Sequence, residues 1–225
     1  SQIRTHYPLD VATEVAIIEQ EAELPEVDGV TVVVPPVMTD IIAAMSQLAR
    51  ESAHVNQRSG VSVRLSVSNQ ETMVANALRR ALRAGETEVV PRVSDLEAIA
   101  ASTAGKVEID ALEDGREGQI LDHLLRAAVL SVFREVVPPE ALLAVIEGFE
   151  GRPPVEVGED VPSSAYVGLC ESMPPLAELV SGLVGDASSP AKVASAVELV
   201  LEGLHLSKRL NKDAVGTRAT YRGKS

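Results

Sequence analysis

At 225 residues the chain is long enough to bury one large core or two small ones, and two modules are expected. Its formal net charge of -13 argues against a general nucleic-acid or anionic-membrane surface, because such binding needs Lys and Arg to displace counterions from phosphates. With 45% apolar residues but only two Phe, three Tyr and no Trp, the core must be built from Val, Leu, Ile and Ala, which pack well between helices.

No apolar run approaches the ~18 residues of a membrane span, and the opening SQIRTHYPLD lacks the charged-then-apolar build of a signal peptide. Cys170 is the single cysteine, so an intramolecular disulfide framework is excluded and a reducing, cytoplasmic setting is expected. Ser1 stands where an initiating Met would, and the stretch is expected to belong to a longer protein.

In chain order, Asp10 is a good N-cap for a helix with Val11, Val15, Ile18 and Ala22 on its apolar face, ended by Pro25 and Gly29. The run VTVVVPP is rich in β-branched residues, yet its prolines restrict it to an edge strand or an extended connector. Pro36 suits a first helical turn, and Met38, Ile41, Ile42, Met45, Leu48 and Ala49 form the stripe of a second helix.

The stretch from Gly60 to Gly85, GVSVRLSVSNQETMVANALRRALRAG, carries two competing periods. Val61, Val63, Leu65 and Val67 alternate with polar residues as in a half-buried strand. Met73, Val74, Ala77, Leu78, Ala81 and Leu82 make a helical stripe that Gly85 can stop. Ser68 with Glu71 would cap a late-starting helix; Ser62 would start it early and put Arg64 in the first turn. In that turn a cation opposes the helix dipole by about 0.3 to 1 kcal/mol, a cost that a bound phosphate would reverse. On a strand, Arg64 is an ordinary polar-face residue.

Further on, Ser94 and Glu97 read as a capping box in PRVSDLEAIAAS, KVEIDALEDGREG as a charged joint, and residues 118–137 as a long helix with Leu121, Leu124, Leu125, Ala128, Val129, Val132 and Val136 buried. Residues 140–147 form another helix. The Gly, Pro and acid-rich segment 148–164 reads as a linker or long loop. After it come the short helix PPLAELVSGLVG and a long one opened by Ser189 and Pro190, with Val193, Val197, Val200, Leu201 and Leu204 inward. Beyond Leu206, Lys208, Arg209, Lys212, Arg218, Arg222 and Lys224 face one acid, Asp213, and form a basic tail on an acidic body.

The chemical inventory is sparse. The terminal Arg222-Gly223-Lys224-Ser225 lacks the upstream glycine spacing of a phosphate loop. His6, His54, His123 and His205 are scattered, and Leu112 breaks any calcium-loop pattern among Asp110, Glu113, Asp114 and Glu117. Ser189-Pro190-Ala191-Lys192 is explained by a helix cap without a nucleophile.

Taken together, a helix, a second helix ending ARES, the block SGVSVRL, a helix carrying LRRAL, then VVPRVSDLEAI and GKVEI resemble the C-terminal lid of AAA+ ATPases of the magnesium chelatase I-subunit and MoxR-like group, best over residues 3–137. The resemblance implies an all-α fold: a helical AAA+ lid-type bundle over residues 1–112 and a C-terminal helical extension over 113–225. It implies that Arg64 is the sensor-2 arginine that reads nucleotide phosphates. It also implies ATP and Mg bound in the parent protein, an upstream AAA+ core with Walker A and B motifs, neighbouring subunits in a hexameric ring, and a von Willebrand factor A domain partner. This chain, having no Walker motif, would not hydrolyse ATP alone. Arg79, Arg80 and Arg83 read as a solvated or intersubunit face. Two other readings stay open: a helical protein-interaction module, and a DNA-binding module using residues 190–210 and the tail.

Overall fold

The computed structural model describes residues 6–55, 61–103, 107, 116–185 and 189–224. They are mostly helical, with nine α-helices, one 3-10 turn and five short strands. The charged joint falls largely outside the described residues, as does the expected boundary near 112.

The first helix, α1 (Val11–Glu21), starts where Asp10 accepts the Thr13 amide at 2.7 Å. It crosses α2 (Pro36–Glu51) and α3 (Val63–Ala84). α2 buries Met38, Ile41, Ile42, Met45 and Ala49, the stripe expected from 3.6-residue spacing. Between α1 and α2, β1 (Thr31–Val32) pairs in parallel with β2 (Glu88–Val89), Val32 opposite Val89. Prolines follow closely at positions 35 and 36, so the strand stays short.

α3 takes the early start. Ser62 is its N-cap and accepts the Arg64 amide at 3.3 Å, so the alternating pattern over residues 61–67 is not a strand. Helical burial explains why: Leu65, Ser66, Asn69 and Gln70 all face inward, continuing the stripe of Met73 and Ala77. Ser68 lies inside the helix, six residues past its cap. Gly85 ends it in the left-handed region, φ 68°, which an L side chain would oppose.

The next turn is 3-10 over Val93–Ala98, continuing into α4 (Ile99–Thr103). Its start is not the expected Ser94–Glu97 box. Asp95 accepts the Arg92 amide at 2.8 Å, so the closing pair has the same spacing but stands two residues earlier.

Helix α5 (Glu117–Val136) packs on α2 on one side and α9 (Pro190–Leu206) on the other. α6 (Pro139–Glu147) and α8 (Pro174–Val184) each begin at a proline in the first turn, where a missing amide costs nothing. α7 (Ser163–Ser172) lies against α9. One apolar cluster runs from Ile18 on α1 to Tyr221 near the end.

Two expectations change in this half. Segment 148–164 holds a strand, β3 (Val155–Gly158), and the basic tail is a hairpin, β4 (Leu210–Val215) and β5 (Arg218–Gly223), turning at Gly216. β5 lies between β3 and β4, antiparallel to both. Three of the tail's cations are paired: Lys212 with Glu202, Arg218 with Asp160 and Arg222 with Asp213. α9 is buried along most of its length, so it offers no free face to a DNA groove.

The α5–α9 contact is tight at Gly203, where a Cβ would stand 2.1 Å from Phe133 Cδ2. Gly203→Ala is expected to lose about 1 to 3 kcal/mol of stability by overpacking, despite the better helix propensity of Ala. Urea unfolding with and without Phe133→Leu checks it: the loss should shrink when Phe133→Leu is also present, and equal losses in both backgrounds would place the strain elsewhere.

Candidate functional site

α3 is 22 residues long, about 33 Å at 1.5 Å per residue, and its two ends differ. At the N-terminal end the backbone amides of the first turn point outward and the dipole is positive. Arg64 sits there, exposed, with no acidic residue in the first turn. Its amide bonds Ser62, but its guanidinium has no hydrogen-bond or ion-pair partner among the described residues. A solvated cation at the positive end of a helix can receive an anion.

Behind that turn lies a buried ion pair. Glu14 on α1 has no exposure, and its carboxylate takes both arms of Arg50, Nη1 at 2.5 Å and Nη2 at 2.9 Å. Arg50 Nε donates to the Val61 carbonyl at 3.0 Å, Ser66 donates its hydroxyl to Glu14, and Ser46 and Ser66 hydroxyls meet at 2.7 Å. Charge-assisted, two-armed pairing of this kind is the geometry in which a buried carboxylate is tolerated.

At the C-terminal end, Arg80 contradicts the expected solvated face. It is buried and donates to Asp95 and, at 2.9 Å, to the Val90 carbonyl. Burial opposes its charged form, but Asp95, then Glu198 and Glu86, outweigh it and hold its pKa above the ordinary value. Asn76 also donates to Asp95, at 3.1 Å. Arg79 and Arg83 are exposed, as expected, and both reach Glu159.

From that turn the network continues into α7 and α9. Arg92 is fully buried, donates to the Val161 carbonyl and to Ser163, and stacks 4.9 Å from the Tyr166 ring centroid. Glu198 accepts the Ser94 amide at 2.8 Å and the Tyr166 hydroxyl at 2.5 Å, while Glu202, one turn on, accepts from Tyr221 and Lys212. Burial first, and then the adjacent carboxylate, push both phenols well above the usual tyrosine range. Glu198, Glu202, Lys212 and Tyr221 line a cleft of about 270 Å³ together with Glu97, whose carboxyl is raised by desolvation and by Glu159, Glu198 and Glu202 against the opposing effect of Lys212. Because the buried carboxylates already hold donors from the protein itself, the cluster acts as a brace between elements. Cys170, in α7, has its thiol pushed up to about 11 by burial, so at neutral pH it is a packed thiol and a poor nucleophile.

Sequence reading singled out Arg64 and missed Glu14, Arg50 and Ser66. A signal existed for Glu14: it stands three residues after Val11 and four before Ile18, on the apolar stripe itself. Arg80 lies likewise three residues from Ala77 on the buried stripe of α3. Among the described residues no three His, Cys, Asp or Glu side chains converge as a metal would require, and no helix is long and apolar enough to cross a membrane.

Comparison with protein-family models, with curated proteins and with solved structures finds no match to this chain.

Asp95→Ala would take from Arg80 its nearest carboxylate in the interior and leave it only the longer contact to Glu86 at 3.7 Å. A loss of about 3 to 5 kcal/mol is expected, read by urea unfolding at neutral pH; a loss below about 1 kcal/mol, the level of a surface pair, would show that the network does not hold the fold.

Proposed function

We propose that this chain is the lid region of an AAA+-type ATPase, in which Arg64 contacts the phosphates of a bound nucleotide and lid movement couples hydrolysis to remodelling of a partner protein. The observation that carries the reading is the setting of Arg64: an exposed guanidinium without a side-chain partner among the described residues, in the first turn of a long capped helix that takes the earlier of the two starts its sequence allows.

A phosphate there would reverse the unfavourable placement of a cation at a positive helix end. ATP would be held mainly by an upstream core carrying the Walker motifs, and its magnesium by the phosphates and that core. This chain's part is to supply the charge of Arg64 at the nucleotide and to move as the phosphates change. Ring neighbours, six subunits by the resemblance, and a von Willebrand factor A domain partner belong to the same proposal.

A charge-assisted hydrogen bond contributes about 1.5 to 3 kcal/mol. In the intact protein, Arg64→Ala should therefore weaken a fluorescent non-hydrolysable ATP analogue by about tenfold to a hundredfold and lower ATPase activity, with circular dichroism unchanged. Equal affinity in a folded variant would return Arg64 to the solvated surface and favour a protein-interaction module without a nucleotide role.

A further inference from the structure

The geometry points to Glu14 and Arg50 as positioning residues for Arg64, a role that rests on the phosphate reading of that arginine. A helix frays at its ends, where backbone groups lack intrahelical partners. Here it is held on both sides of Arg64. The Val61 carbonyl, three residues before, accepts from Arg50 Nε at 3.0 Å, and the Ser66 hydroxyl, two residues after, donates to Glu14. Both anchors end on the same buried ion pair.

The pair is placed for register more than for stability. Replacing a buried ion pair by apolar residues is often neutral or stabilising, whereas its directional bonds admit one arrangement. With Glu14 on α1, Arg50 in the last turn of α2 and Val61 and Ser66 flanking the first turn of α3, three helices must sit in one relation for all the bonds to form. The outer side is covered too: the Tyr7 ring lies 5.4 Å from the Arg50 guanidinium carbon, and Gln47 holds the Pro8 carbonyl at 3.3 Å. Segment 6–8 is thus strapped across the pair, so a shift of the chain leading into α1 reaches the turn that carries Arg64.

Arg50→Lys tests this. It keeps a positive charge for Glu14 but loses the second arm and the Nε bond to Val61. Affinity for the fluorescent non-hydrolysable ATP analogue is measured in the intact protein for the wild type, Arg50→Lys, Arg64→Ala and the double variant, with thermal unfolding of each. Arg50→Lys is expected to weaken binding about threefold or more when Arg64 is present and to add nothing when it is absent, the coupling of residues in one network. If Arg64→Ala weakens binding but Arg50→Lys does not, or weakens it equally in both backgrounds, the positioning role is wrong and the phosphate reading stands. If Arg64→Ala itself has no effect, the phosphate reading fails and this role with it. Should Arg50→Lys not fold, Ser66→Ala, which removes the anchor on the other side, is carried through the same cycle and judged by the same outcomes.

Discussion

A carboxylate with no exposure has to find donors inside the protein, and the way Asp95 does so organises much of this molecule. It takes Asn76 and Arg80 from α3 and the Arg92 amide from its own turn, which fastens the 3-10 turn to the C-terminal half of α3. With the turn fixed, its remaining polar groups point away from α3. Arg92 reaches Val161 and Ser163, the Ser94 amide reaches Glu198, and Ser195 donates to the Pro91 carbonyl. Residues 90–95 thereby join the bundle of α1 to α3 to α7 and α9. The desolvation cost of so many buried charges is offset only because each finds its partner in a defined direction.

α3 is therefore gripped by buried ion pairs at both ends, Glu14–Arg50 near its start and Arg80–Asp95 near its finish. The two grips differ in what they leave free. At the finish the arginine of the helix is itself consumed by the interior. At the start the helix's own arginine, Arg64, stays in solvent, and the pair behind it is made by other elements. Over its length of about 33 Å the helix is thus restrained at both ends, where fraying would otherwise begin.

The helices of the first half were legible because apolar spacing, caps and prolines agreed. Val61 to Val67 was ambiguous because alternation over seven residues fits a strand, and only the burial of Leu65, Ser66, Asn69 and Gln70 among α1, α2 and α4 decides for a helix. The hairpin after α9 was hidden for a different reason: LNKDAVGTRATYRG is polar and charged, and besides pairing β4 with β5 it sets β5 against β3, a long-range partner no local pattern announces. Arg64 was singled out in the sequence by its misfit with the helix dipole under the early start, and its phosphate role by the family resemblance. The pair that underlies it could not be assembled from the sequence, since Glu14 and Arg50 lie 36 positions apart and meet only through the crossing of α1 over α2.

The scarcity of aromatic residues has a spectroscopic side. With no Trp, near-ultraviolet emission comes from Tyr7, Tyr166 and Tyr221. Two of these have their hydroxyls locked onto the carboxylates of Glu198 and Glu202, an arrangement that quenches a phenol's excited state. The native protein is accordingly expected to be dim, with Tyr7 beside Arg50 as its main emitter, one reporter for the α1–α2 junction against two quenched ones in the brace around α9.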